Sequence, residues 1–457
     1  MQSLTYKYAT ALFSLAAAFC LVSAQHVATG QPINIGTLTP LTGFGGPYGS
    51  PGLLVEVSPG RFVGIAVSDN AAAFELSSAG ALSTLFTFPA KAGPVQPLVE
   101  AVNGRIYGTQ SIPLSNFSLA PDGSEETYQS TTIYPPLLSL QFPDGALYGT
   151  TWGSAGHNAF VQMTVHGNAT VVHNFTQTEG EPYGLPIRAS DGNFYGISAV
   201  PLPPSRSSTS AMVYRVTPQG ALTVIATYPD GRPGYPVGLM KEYLLQATNG
   251  MLYGTAAFGG TNEAGAIFQL SLDGTYTQLY QFQTFTTGIP TFLTQASDGN
   301  LYGVAQGKFQ FGGPSSLFRI TPAGQFETLQ VLNGLEIGTC PCWLTQGSDG
   351  LFYGTTMNGG PGSFGTAWKW NLGLPKPLPT LSGTLPDSGA PGAKVVVWGE
   401  NLLGATGVSF NGTPATTFRN ISREYVIALV PTGATTGPVT VTTPNGSATT
   451  SGSFTIE

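Results

Sequence analysis

The chain has 457 residues, of which 41% are hydrophobic, 11% aromatic and only 9% charged. Its 16 Lys and Arg face 23 Asp and Glu, a formal net charge of −7, so the dense basic footprint of a nucleic-acid binder is missing. The aromatic content is too high for a disordered polymer, and 61 Gly with 36 Pro indicate turns at short intervals.

In chain order, residues 1–24 read as a secretory signal peptide. Lys7 supplies the basic start, Ala9 to Val22 the apolar stretch, and Val22-Ser23-Ala24 a small-residue cleavage site before Gln25. That stretch is shorter than the ~20 residues of a membrane-spanning helix. Phe19 is too bulky for a lipoprotein signal at Cys20, so cleavage after Ala24 is expected. The mature protein is expected to be secreted or held at the cell surface, with no transmembrane span.

Residues 35–371 repeat one pattern. A hydrophobic-Tyr-Gly core recurs at Tyr107, Tyr148, Tyr195, Tyr253, Tyr302 and Tyr353, with a degenerate copy at Phe62-Val63-Gly64. From Val63 onward the steps are 44, 41, 47, 58, 49 and 51 residues. Units of roughly 40–50 residues built from four short strands signal propeller blades. The clearest copy parses into strands A (Pro290 to Ser297), B (Leu301 to Ala305), C (Ser315 to Thr321) and D (Gly324 to Leu332). Between A and B, each of Asn103, Asp144, Asp191, Asn249, Asp298 and Asp349 precedes a Gly, as tight hairpin turns require.

The last unit ends at Trp368 to Leu372 with no strand D, while Gly36 to Phe44, before the first unit, aligns with the D strand Gly274 to Phe282. The expected fold is therefore all-β, a seven-bladed β-propeller closed by its N-terminal strand so that no sheet edge stays open. The repeat resembles the GloVer tandem repeats of exported bacterial proteins, whose Asp-Gly-x-Leu-Tyr-Gly-Thr-Thr hallmark stands at Asp144 to Thr151. A second good match is Leu351 to Thr356 with Gly359-Gly360. The resemblance implies location and fold, and no particular chemistry.

A Pro-rich linker at 373–379 leads into residues 380–457, whose short alternating strands read as a small sandwich. This segment resembles the IPT/TIG domain at Pro386-Asp387-Ser388-Gly389, Val395 to Gly399, Val408 to Gly412, Val430-Pro431 and Gly437 to Val441. The resemblance implies an Ig-like (IPT/TIG) β-sandwich serving as a spacer or binding unit.

Little catalytic chemistry is written in the chain. Seven of its nine aspartates immediately precede Gly and are committed to turns, and no Asp-x-Asp-x-Asp-Gly calcium loop is present. The repeated Tyr reads as packing between blades. His157, His166 and His173 fall on different parts of one blade, so a shared metal is not expected. His-Glu-x-x-His and Gly-x-Ser-x-Gly are missing, and no metal or cofactor is expected.

In an up-and-down blade the A–B and C–D turns share one face and the B–C and D–A connections the other. The second set varies in length and carries Trp152, Arg206, Arg232, Tyr235, Phe309 and Phe311, read as the binding residues. Cys340 and Cys342, separated by Pro341, read as a local disulfide staple, since export favours a bridge over a metal or redox role. The expected function is non-enzymatic binding by a monomer, with a polysaccharide or a cell-surface protein as partner. One alternative is a glycan-cleaving enzyme taking acid and base from Glu179, Glu181 or Glu336, with Arg206 or Arg232 neutralising a uronate. The other is a purely structural spacer.

Overall fold

A computed structural model describes residues 35–45, 49–68, 71–89, 93–111, 114–128, 135–151, 158–201, 209–228, 244–256, 265–283, 288–307 and 315–457. Among these, residues 35–371 form seven four-stranded antiparallel sheets. The sixth is Ile289–Gln295, Leu301–Gln306, Ser316–Ile320 and Phe326–Val331, each strand ending where the turn residues begin. The seventh combines Thr339–Gln346, Phe352–Asn358 and Thr366–Asn371 with the N-terminal strand Thr37–Gly43, which pairs antiparallel with Thr366–Asn371. No helix among the described residues is long and apolar enough to cross a membrane.

The sheets form a ring. Strand A of the first sheet (Ser50–Ser58) touches that of the second (Pro94–Glu100), which touches that of the third (Leu137–Gln141). The third in turn meets the fourth (Glu181–Arg188), and the fourth meets the fifth (Leu244–Gln246). The fifth sheet reaches the sixth through Leu252–Ala256, the sixth meets the seventh, and the seventh returns to Ser50–Ser58. Strands that meet their counterparts on both sides line the axis, so A is innermost and D outermost.

The repeated Gly after Tyr has a steric cause. Gly64, Gly108, Gly196, Gly254, Gly303 and Gly354 pair across the ladder with Phe74, Phe117, Tyr214, Phe268, Phe318 and Trp368 of strand C. The far end of the aromatic ring lies over the glycine, and a Cβ on Gly64 would stand 2.5 Å from Phe74 Cζ. A second glycine contact ties neighbouring sheets at the rim. Gly80, in the C–D turn of the first sheet, sits against the carbonyl of Leu41, with 2.6 Å left for a Cβ. Gly123 and Gly274 meet Leu85 and Ile225 of the preceding outer strand in the same way, so Thr37–Gly43 serves the first sheet as the other D strands serve theirs.

Residues 380–457 form two further sheets. Thr380–Leu385, Lys394–Glu400, Tyr425–Leu429 and Phe418–Asn420 make one. The other holds Ser388–Gly389, Gly446–Ile456, Gly437–Thr443, Gly407–Phe410 and Thr413–Pro414. Alternate residues of each sheet, among them Val395, Val397, Phe410, Val426, Val439, Val441 and Phe454, enter one shared core.

Candidate functional site

Trp152, Arg206, Arg232, Tyr235, Phe309 and Phe311 all lie outside the described residues, as do His157 and Lys308. Cys340 is disulfide-bonded and holds a positive φ of 57°, while the side chain of Cys342 lies outside the described set. Of the two carboxylates at the entry to the fourth sheet, Glu181 begins the strand Glu181–Arg188 and Glu179 lies in the turn before it. Glu179 accepts hydrogen bonds from the Thr176 amide (2.8 Å) and hydroxyl (2.9 Å) and meets His173 Nε2 at 3.1 Å. Burial opposes its charge, but these donors outweigh it and hold the carboxyl below its ordinary range. The other His173 nitrogen contacts the Gly220 carbonyl at 3.0 Å, so the imidazole ties the third sheet to the fourth. Glu336 is exposed. Among the described residues no group of three or more His, Cys, Asp or Glu is placed to hold a metal ion.

The turn face is built to one plan. In each Asp-Gly turn among the described residues one carboxylate oxygen accepts the amide two residues on, and in three of them the other accepts the buried Tyr hydroxyl. Those pairs are Tyr195 to Asp191 (2.8 Å), Tyr302 to Asp298 (2.9 Å) and Tyr353 to Asp349 (2.7 Å). Tyr and Asp are thus spent on turn geometry and interior packing.

A glutamine that the sequence reading passed over joins the sheets. Gln246, Gln295 and Gln346 each end a strand A and donate from Nε2 to the carbonyl of the turn Gly four residues on. Each Oε1 accepts the amide two residues past the matching position of the preceding sheet: Ser190, Thr248 and Ser297. Gln141 does the same with Val102 and Gly145. In the first sheet Glu56 takes this place, accepting from the Ser348 amide and hydroxyl (both 2.8 Å) and from the Gly60 amide (2.9 Å), which binds the first sheet to the seventh.

The pattern breaks in the second and fourth sheets, at Glu100 and Arg188. The fourth has a plain reason: the residue its side chain would staple is Pro143, which carries no amide hydrogen. Arg188 turns instead to the C-terminal module, its guanidinium carbon 4.0 Å from the Phe142 ring centroid and 4.5 Å from that of Trp398. Such a desolvated sandwich contributes roughly 1–2 kcal/mol.

The same face carries the rest of the junction. Tyr425 donates to the Gln141 carbonyl (2.6 Å), Arg423 to the Gln346 carbonyl (3.0 Å) and Asn445 to the Ser348 carbonyl (2.7 Å). Arg419 lies against Gly104, Gly404 against Pro59, and the linker carbonyl of Pro375 accepts from Ser297 (2.6 Å). Contacts reach from the seventh sheet across to the third and fourth, on opposite sides of the ring. The module therefore covers the axis on the turn face.

The sequence profile of the Gloeobacter/Verrucomicrobia repeat matches residues 135–368. The chain belongs to the Gloeobacter/Verrucomicrobia repeat family. No curated protein is similar to it in sequence. Among solved structures, a streptogramin B lyase is 15% identical, with a TM-score of 0.51 over 75% of this chain and 96% of that one. Virginiamycin B lyase from Staphylococcus aureus is 13% identical, with a TM-score of 0.51 over 75% and 98%. A fungal alcohol oxidase of the AA5 family, in complex with copper, is 12% identical, with a TM-score of 0.53 over 92% and 100%. At these identities the likeness concerns fold alone, and it makes this repeat protein all-β and propeller-like. The match covering 92% of the chain necessarily extends past residue 371 into the C-terminal module.

Proposed function

We propose that this repeat-family chain is a seven-bladed propeller with an Ig-like (IPT/TIG) C-terminal domain, exported through a cleaved signal peptide. It acts as a non-enzymatic binding protein that presents its B–C/D–A face to a surface glycan or a protein partner. The observation that supports this side over the other is the seat of the C-terminal module on the turn face. With that face occupied by the chain itself, the B–C and D–A connections, whose sequence carries Trp152, Arg206, Arg232, Tyr235, Phe309 and Phe311, are the side we assign to a partner. The glycan-cleaving alternative gains no support from Glu179, whose carboxylate is engaged by Thr176 and His173.

A glycan and surface-protein array probed with the mature protein tests the reading. Retention is expected to fall in a Trp152→Ala/Arg232→Ala variant and to survive in Asn300→Ala/Gln325→Ala on the turn face. The reverse pattern, or no retention on any ligand, counts against it. Turnover of a polysaccharide abolished by a single Glu substitution would establish the enzymatic alternative.

A further inference from the structure

Among the described residues one aromatic side chain is exposed, Phe364 at 46%, and the most exposed large apolar side chain is Leu335 at 76%. Both sit on the B–C/D–A face of the seventh sheet. Leu335 lies in the D–A connection 333–338, between Phe326–Val331 and Thr339–Gln346. Phe364 lies in the B–C connection 359–365, between Phe352–Asn358 and Thr366–Asn371. The two connections are locked together through their backbones. The Gly360 amide donates to the carbonyl of Gly334 (3.1 Å), the neighbour of Leu335, and Gly359 bridges to Phe364. A Cβ on Gly359 would stand 2.7 Å from that same carbonyl oxygen, so the approach requires glycine. From the other side the Phe364 amide donates to the Phe44 carbonyl (3.2 Å), and the Phe44 amide to the Gly365 carbonyl (2.9 Å). Asn333 Oδ1 holds the Leu335 amide at 3.0 Å. The backbone is also strained here. Of the described non-glycine residues with positive φ, Asn401 and Asn411 are of a type that tolerates it. The other two are Ser363 (66°), directly before Phe364, and Cys340 (57°), just past 333–338.

We propose that this platform docks a protein segment presenting apolar side chains beside a basic one, with Phe364 and Leu335 as anchors and Glu336 as the selecting charge. The inference rests on the reading of the B–C/D–A face as the binding face, and gives that face a site and a partner class. Exposed apolar residues scattered singly are ordinary on any surface. These two differ in standing on neighbouring connections that are hydrogen-bonded to each other, with Pro361 exposed on the same connection as Phe364. Anchors held on ordered backbone lose little freedom when a partner covers them. Glu336 gives the sense of the charge. It is exposed, adjoins Leu335, and forms no ion pair among the described residues. The chain's formal net charge of −7 favours the approach of a basic segment as well. A neutral sugar would need directional polar groups around the ring. Here Asn333 Oδ1 is taken by the Leu335 amide, the Thr356 hydroxyl donates to the Ile337 carbonyl (2.5 Å), and Leu335 offers branched aliphatic bulk.

The test is selection of a displayed random-peptide library against the full mature chain, followed by fluorescence anisotropy of the selected peptides. The parent is expected to select Leu, Ile or Phe next to Lys or Arg. Affinity is expected to fall about tenfold or more in Leu335→Ser/Phe364→Ser, as loss of buried anchors costs. Glu336→Lys is expected to keep the apolar preference and exchange the basic one for Asp or Glu. Near-ultraviolet circular dichroism of both variants should match the parent, since the substituted side chains are exposed. Peptides without a charge preference overturn the proposal, as do peptides whose preference is unmoved by Glu336→Lys. Retention of neutral glycans alone overturns it too. Peptide binding that survives Leu335→Ser/Phe364→Ser but is lost in Trp152→Ala/Arg232→Ala overturns this site and leaves the binding face standing. Binding indifferent to both double variants removes the face as well.

Discussion

Replacing Glu56 by Leu should unlock the ring at the contact between its first and seventh sheets. Glu56 is only 5% exposed and accepts from the Ser348 amide, the Ser348 hydroxyl and the Gly60 amide at 2.8–2.9 Å. Leucine leaves two backbone N–H groups without an acceptor, at roughly 1–3 kcal/mol each, while the Ser348 hydroxyl can rotate to another partner. The leucine side chain recovers part of that through its own burial, roughly 1 kcal/mol. A net loss of about 3 kcal/mol is therefore expected. Glu56→Gln should lose about 1 kcal/mol or less, because Gln141, Gln246, Gln295 and Gln346 already serve this position in other sheets. Urea unfolding followed by near-ultraviolet circular dichroism reads both values from midpoint and slope. If Glu56→Leu unfolds within about 0.5 kcal/mol of the parent, as a neutral surface change does, the stapling argument fails. It also fails if Gln proves as damaging as Leu.

Tyr214 covers Gly196 as Phe covers the matching glycine in the first, second, fifth and sixth sheets, but its hydroxyl is buried without a hydrogen-bond partner. Tyr214→Phe is expected to raise stability by about 1–2 kcal/mol, and an unchanged or lowered urea midpoint would contradict this. At Asp191, burial opposes the charge, but donors from Asn193 and Tyr195 prevail and hold its pKa below the ordinary value. Its contribution is thus complete above the unfolded value of ~3.9 and is lost as pH falls through the lower folded one. Tyr195→Phe removes one donor and should move the onset of acid unfolding to higher pH, and an onset that stays in place would refute the assignment.

The ring was legible because a repeat multiplies its signal. One Asp-Gly or one Leu-Tyr-Gly says little, but six copies at near-constant spacing locate the A–B turn and the buried Tyr. The match of Gly36 to Phe44 with a D strand likewise identifies the partner of Thr366–Asn371. The glutamine at 141, 246, 295 and 346 sat in the same alignment, three residues before Asp or Asn, and was overlooked because a polar strand end is unremarkable in any single unit. The junction was not legible in that way. Arg188 with Trp398, and Tyr425 with Gln141, join residues hundreds of positions apart through contacts that the repeat period does not encode.

Even so, the sequence held an indirect trace of that junction. A position that is Gln in four units and a carboxylate doing the same task in a fifth is held by a shared geometric need, the amide of the preceding turn. Where the need disappears, as at Pro143, the side chain is free to be selected for something else. Arg188 stands at such a place, and its guanidinium reaches a ring of the other domain. In a closed repeat, then, departures from the unit are the positions to read for contacts made outside the ring. Glu100, the other departure, lies beside Glu424 of that same module. Both exceptions point toward one face, the one on which the C-terminal module sits.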